Sequence, residues 1–408
     1  MNTLRRRFAA LCLVTSAVIV SMVTLVSTST LPLLGQAGLR YVGGFRVPAG
    51  TFGGSSFGYV GTGMAYNPAN NSLFMVGHDW NQQVAEISIP TPVNSSSLDA
   101  LPIAAVLQPF ADPTDGRLQS IGTDVKIGGL MVAGNQLYVT GFVYYDASGS
   151  QNVSHFVRST NLSTASARGP FGVNYTGAVA GPMVPVPPDW QGALGSPQLS
   201  AQCCIPILSR SSYGPSGFGV DLAQLGQVSP LPSTALLFYP QTHPLDTWDG
   251  TSKLFNGTTK MGGMVFPVGS GSLLWIGRQG VGTFCYGNGS TQNPPPTGEC
   301  YDPTDSSKGN HAYPYVYQVW AYAASDLAAV KAGSKQSWEL RPYATWQLQF
   351  PTTTWSSFIQ GVAYDPARQR LYVSQAFADG ERPVIHAFDL DLTAPSTPTA
   401  PANLRIVK

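Results

Sequence analysis

The chain has 408 residues, 44 of them Gly and 33 Pro, and its 22 Lys and Arg against 21 Asp and Glu give a net charge of +1. Beyond Arg5, Arg6 and Arg7 no basic cluster is present that could neutralise a row of phosphates, so nucleic acid is excluded as an expected partner. Sparse charge, many turn-forming residues and plentiful Val, Thr and aromatics describe an all-β protein of many short strands.

At the N-terminus, Arg5 to Arg7 precede an uncharged run from Phe8 to Val26, and a Gly35-Gln36-Ala37 stretch follows that suits a signal peptidase. Residues 1–37 therefore read as an export signal, and the protein as secreted or extracytoplasmic. The same run is long enough to span a bilayer as an uncleaved anchor, so cleavage and anchoring are both open. Membrane contact is expected only through this segment. The whole chain carries +1 and residues 1–37 hold three Arg and no other charged residue, so a cleaved form carries −2.

From Leu39, the stretch YVGGFRVP reads as a strand with no partner nearby in sequence. The first repeated unit follows: Gly63 to Tyr66, an Asn67-Pro68 turn, Leu73 to Val76, Val84 to Ile89, and a fourth strand over Ala104 to Leu107. Four antiparallel strands in succession make a meander. A second unit opens at Gly129, with Leu137 in its second strand and Val153 to Arg158 as its third. For a third unit, Gly217 to Asp221 imitates the opening and Ala235 to Tyr239 supplies the second strand.

The fourth unit opens at Gly263, and its third strand, Tyr317 to Tyr322, is delayed by an insertion that carries Cys285 and Cys300. A short helix is expected next, with Ser325 as N-cap and Gly333 at its end, before a fourth strand over Trp346 to Phe350. The fifth unit opens with GVAYDPARQRLYVSQ, Gly361 to Gln375, which echoes GMAYNPANNSLFMVG of Gly63 to Gly77, and it closes with Val384 to Leu390.

A repeated meander whose second strands (LFMV, LLWI, LYV) are almost continuously apolar predicts small sheets covered on both faces, the pattern of β-propeller blades. Five openings predict five blades of four antiparallel strands within residues 38–392; six or seven remain open because the middle of the chain is loose. The strand near Phe45 is expected to complete the last blade, and residues 393–408 form a Thr/Pro-rich tail or linker.

The units YNPANNSLFMVG and YDPARQRLYVSQ resemble the strand-turn-strand repeats of secreted bacterial propellers of the YVTN and NHL-like kind. That resemblance implies the fold. The class contains surface-layer, adhesion and sugar-binding proteins as well as lactonases and lyases, so it implies no single function. The tail TAPSTPTAPANLRIVK resembles a linker running into the first strand of a fibronectin type III domain.

Besides Cys12 there are four cysteines, Cys203, Cys204, Cys285 and Cys300, which allow three pairings. The Gly/Pro-rich loop between Cys285 and Cys300 favours their pairing. Cys203 and Cys204 are then a vicinal disulfide or two thiols, with a cross-pairing as the remaining option.

In a propeller, the loops leaving second strands and entering first strands share one axial end, where loops on a rigid scaffold carry function. This places His78, Asp79 and Trp80 there from unit one, Arg278 and Gln279 from unit four, and Gln375 from unit five. Thr62, Met261 and Gln360 enter first strands, and Lys308, His311, Tyr313 and Tyr315 come from the insertion. Aromatic faces can cover pyranose C–H surfaces, while amide and guanidinium groups bind hydroxyls or carboxylates. The expected function is ligand binding, with a carbohydrate or cell-surface component as partner and the protein a monomer. The alternatives are a polysaccharide or lactone hydrolase or lyase, with Asp79 and Asp124 as its acidic pair, and a structural surface module.

His155 and His386 share one third-strand position and read as packing residues. No zinc spacing, nucleophile elbow or phosphate loop is present, and neither a cofactor nor a metal is expected. Asp112, Asp115, Asp302 and Asp305 offer oxygens in a spacing reminiscent of Ca²⁺ sites but lack the full loop pattern.

Overall fold

A computed structural model describes residues 31–202, 212–250 and 252–394. These contain five four-stranded antiparallel sheets. The first is built from Met64–Asn67, Ser72–Val76, Val84–Ser88 and Val106–Ala111, and the second from Val125–Ala133, Gln136–Val143, His155–Ser159 and Arg168–Phe171. The third comprises Met183–Pro185, Gln198–Ser200, Gly217–Val220 and Thr234–Leu237; the fourth comprises Lys260–Val265, Ser272–Gly280, Tyr315–Ala323 and Ala344–Gln347. The fifth takes Ile359–Asp365, Arg370–Asp379 and Arg382–Leu390 from the end of the chain and Leu39–Arg46 from its beginning as the outer strand. First strands of successive sheets lie side by side, and that of the fifth returns to that of the first. The fold is a β-propeller, closed by the strand around Phe45.

The recurring turn has a local cause. The Asn67 Oδ1 accepts the Ala69 N–H at 3.2 Å, and the Asp365 Oδ1 accepts the N–H groups of Ala367 and Arg368 at 2.9 and 3.2 Å. In each case the Asx side chain caps its own turn while the following Pro holds the first corner. The second strands Ser72–Val76 and Ser272–Gly280 are buried at every position, as their apolar runs require.

The core is divided among the gaps between neighbouring sheets. Phe74, Val76, Leu130 and Val139 fill the gap between the first and second sheets, for example, and Leu274, Ile276, Val373 and Phe388 that between the fourth and fifth. Near the axis the first strands approach so closely that the opening glycines Gly63, Gly129, Gly263 and Gly361 are interface residues. A Cβ at Gly361 would stand 2.6 Å from the Met64 Cβ, and one at Gly129 would stand 2.3 Å from the Gly181 carbonyl oxygen and 2.6 Å from the Pro182 Cα. Gly129→Ala is therefore expected to cost about 1–3 kcal/mol, as overpacking against backbone does, whereas Gly309→Ala, in open space, costs far less. Equal denaturation midpoints for the two variants would contradict this contact.

Two expectations need correction. Gly217–Val220 is the third strand of its sheet and Thr234–Leu237 the fourth; the first two strands are only three residues long, too short to show a period of two. The helix spans Ala324–Lys331 with Ala323 at the N-cap and no side-chain cap, so Ser325 lies inside it, while Gly333 takes the left-handed conformation (φ +76°) just beyond its end.

His155 and His386 are fully buried. The first bonds Ser154 and Ser200, and the second bonds Tyr41, Thr352 and Gln375. Burial lowers the pKa of both to about 3, so they stay neutral and tie neighbouring elements together.

Cys285 and Cys300 form a disulfide, with Cα atoms 5.7 Å apart, in keeping with an oxidising compartment. Cys203 and Cys204 lie outside the described residues. Among the described residues no helix is long and apolar enough to cross a membrane.

Candidate functional site

At the end where the chain enters its first strands, a cavity of about 610 Å³ opens on the axis. Four sheets contribute to it: Tyr59 to Thr62 and His78 to Trp80 from the first, Lys126, Ile127, Phe142 and Tyr144 from the second, Lys260 and Met261 from the fourth, and Phe358 to Gln360 with Phe377 from the fifth. A second, apolar hollow of about 400 Å³ lies where the first strands end, among Tyr66, Val132, Phe266 and Tyr364.

The rim of the axial cavity is aromatic. Trp80 is 84% exposed, and Tyr59, Tyr144 and the neighbouring Trp355 are also exposed. Tyr59 packs against His78 (5.7 Å) and Phe377 (5.7 Å), His78 against Trp80 (5.5 Å), and Phe377 against Trp355 (4.4 Å). The His78 Nδ1 accepts the Trp80 N–H at 3.2 Å, which leaves Nε2 to carry the proton of a neutral ring. The Tyr59 hydroxyl donates to Glu381 at 2.9 Å.

The polar wall is built by side chains that also join sheets. The Lys126 Nζ donates to the Asp79 carboxylate at 2.8 Å and to its carbonyl at 3.1 Å, bridging the first two sheets. The Gln82 side chain braces this pair, donating to Asp79 and accepting the Ile127 N–H. The Gln360 Nε2 donates to the Val60 carbonyl at 2.6 Å, and the Gln360 backbone carbonyl accepts the Gly63 N–H at 2.8 Å, which fixes the fifth sheet to the first at the cavity floor.

Lys260 and Arg278 stand directly opposite each other on the first two strands of the fourth sheet. Both lie over the Phe358 ring, Lys260 Nζ at 4.8 Å and Arg278 Cζ at 4.0 Å from its centre, and Arg278 is covered on its other side by Tyr315 at 4.1 Å. Crowding by protein, then the nearby guanidinium, lowers the Lys260 pKa to about 8, although the side chain also presents surface to the cavity and water there opposes the shift.

Of the residues expected at this end, His78, Asp79 and Trp80 line the cavity together with Thr62, Met261 and Gln360. Arg278 is 3% exposed behind Phe358. Gln279 and Gln375 are interior strand residues: Gln279 bonds Thr259 and the Ser252 carbonyl, and Gln375 bonds Thr352, Tyr317 and His386. His311 is buried between Asp302 (2.8 Å) and the Ser307 carbonyl (3.0 Å), and Tyr313 packs edge-on against Tyr301 and Tyr315. Asp124 is exposed in an adjoining groove of about 250 Å³ beside Trp80 and Lys126 and does not line the cavity, so Asp79 is the one carboxylate among the described lining residues.

Asp112 and Asp302 cap turns through Thr114 and Thr304; Asp115 bonds Arg158 and backbone N–H groups, and Asp305 bonds Ser307. Among the described residues no three His, Cys, Asp or Glu side chains converge as a metal site.

Lys126, Lys260 and Phe358 are lining residues that the strand-boundary reading misses. Lys260 directly precedes Met261 and Phe358 stands two residues before Gln360, so extending the entry register by one or two positions finds both, whereas Lys126 is the second residue of the strand Val125–Ala133, for which the sequence marks no entry residue.

No family model and no curated protein matches the chain. Among solved structures, Raptor of Chaetomium thermophilum is similar over 88% of this chain and 30% of its own, at 9% identity and a TM-score of 0.33. A putative oxidoreductase (glucose dehydrogenase) of Thermus thermophilus is similar over 86% of this chain and 100% of its own, at 10% identity and a TM-score of 0.34. Likeness at this level assigns neither a ligand nor a reaction.

Proposed function

We propose that this is an extracytoplasmic propeller that binds a carbohydrate or a sugar-bearing cell-surface component in the axial cavity. The observation that carries the reading is the exposed aromatic rim of Trp80, Tyr59 and Tyr144 above a wall of fixed polar groups. Sugar rings stack on aromatic faces, and His78, Asp79, Lys126 and Gln360 supply donors and acceptors for hydroxyls. A glycosidase needs two carboxylates across the substrate, and the described lining offers Asp79 alone, already paired with Lys126, which favours binding over hydrolysis. The N-terminal Arg5 to Val26 pattern and the disulfide support an extracytoplasmic location.

A glycan array probed with wild type and Trp80→Ala tests the reading. Trp80 is nearly fully exposed, so its loss leaves the fold intact, and roughly three- to tenfold weaker binding is expected. No glycan signal, or an unchanged signal in the variant, overturns it.

A further inference from the structure

Two cations placed directly opposite each other in an antiparallel sheet repel, and a structure that keeps them there without a paired carboxylate leaves that repulsion for something else to relieve. Lys260 and Arg278 are such a pair. Among the described residues neither makes a hydrogen bond or ion pair through its side chain, and the Arg278 Nε is buried with no partner at all. The carboxylates whose charge reaches them, Asp302 and Asp305, are engaged by His311, Tyr315 and Ser307. Guanidinium groups so deeply buried ordinarily lie against a carboxylate; this one has only the rings of Phe358 and Tyr315 on its two faces. Phe358 and Lys260 belong to the cavity wall, so two cations offset only at a distance, by Asp302 and Asp305, lie at the cavity itself. The other lysine there, Lys126, is already neutralised by Asp79.

We propose that Lys260 and Arg278 form an anion subsite of the axial cavity, and that the ligand carries an oxyanion, either a uronate carboxylate or a sulfate ester, on its sugar. This deepens the carbohydrate reading and rests on it. The oxyanion meets the Lys260 ammonium directly, and the Arg278 charge reinforces it from behind the ring through a water-poor wall, where charges interact more strongly than in bulk solvent.

The test is calorimetric titration of the full chain with oligosaccharides of matched length, namely oligogalacturonate, a sulfated galacto-oligosaccharide and a neutral galacto-oligosaccharide, and with sodium sulfate alone. Wild type is expected to bind one of the two acidic probes at least about tenfold more tightly than the neutral one, and Lys260→Gln to remove that preference. Arg278→Gln should act in the same direction. Because Arg278 is buried, the decisive variant is Lys260→Gln, whose unchanged unfolding midpoint serves as the control. Whichever acidic probe is preferred identifies the source of the anion. Equal binding of neutral and acidic sugars, unaffected by Lys260→Gln, overturns the subsite and leaves the carbohydrate reading standing. Sulfate binding that depends on Lys260, without binding of any oligosaccharide, keeps the subsite and overturns the carbohydrate reading. Absence of all binding overturns both.

Discussion

Replacing Glu86 with leucine is expected to destabilise the protein by about 3–5 kcal/mol, more than any change at the cavity rim. Glu86 is fully buried in the third strand of the first sheet. Its carboxylate accepts hydrogen bonds from Asn67 Nδ2 (2.7 Å), Asn70 Nδ2 (3.0 Å), Gln108 Nε2 (2.6 Å) and the Ser72 hydroxyl. Leucine fills the space but leaves these donors unpaired, and the two fully buried ones, on Asn67 and Ser72, have no water to turn to. The damage would spread, because Asn67 shapes the turn and Gln108 also bonds Thr160 and Leu162 in the loop between the third and fourth strands of the second sheet.

The effect depends on pH in a definite direction. Burial alone would raise the Glu86 pKa, but the bonds from Ser72, Gln108, Asn70 and Asn67 outweigh it and hold the value below the ordinary 4.5. A carboxylate depressed by folding contributes stability that is fully present above its unfolded pKa and is lost as pH falls through the folded one. The gap between wild type and Glu86→Leu in urea denaturation should therefore be widest near neutral pH and shrink below pH of about 4. A constant gap, or one below about 1 kcal/mol, contradicts the network as described.

Phe45→Ala should cost a similar amount, about 3–5 kcal/mol, for a different reason. Phe45 is fully buried on the closing strand and packs among Leu73, Met75 and Ile87 of the first sheet and Tyr372 and Ile385 of the fifth, so one ring fills the seam where the two ends of the chain meet. The seam is clasped by two bonds from Arg46 to Asp379, at 3.0 and 3.2 Å, and by Tyr41 bonded to His386 at 3.0 Å. Emptying it opens the ring as well as leaving a cavity. Equilibrium unfolding followed by tryptophan fluorescence should show a lower midpoint, and deletion of Leu39–Arg46 should abolish the single cooperative transition. Retention of that transition by the deletion would contradict closure by this strand.

Four of the five sheets are legible in the sequence because each opens on a glycine at a crowded axis and passes through a short turn into a buried apolar strand, and these demands are local enough to write themselves into fifteen or so residues. The third sheet escapes because Met183–Pro185 and Gln198–Ser200 are held by neighbours more than by their own pattern. At the site, His78 to Trp80, Thr62, Met261 and Gln360 are legible from their position at strand boundaries. Arg278, Gln279 and Gln375 read as loop residues because the apolar pattern stops just before them. The strands in fact continue to Gly280 and Asp379, and hydrogen bonds or rings from other elements bury the polar residues, a tertiary effect with no local signal.

The insertion in the fourth sheet leaves the second strand at Gly280 and rejoins the third at Tyr315, and these two residues are register partners. Everything between them, including the three-stranded sheet of Cys285–Ser290, Glu299–Tyr301 and Lys308–His311 and its disulfide, begins and ends at a single hairpin position. The entropy of closing such a detour grows only slowly with its length, so chain closure sets little limit on lengthening, shortening or exchanging it, provided the new segment supplies an acceptor for the Tyr315 hydroxyl in place of Asp302. Evolution, or a protein engineer, could thus replace this appendage as a cassette while the ring beneath it stays the same.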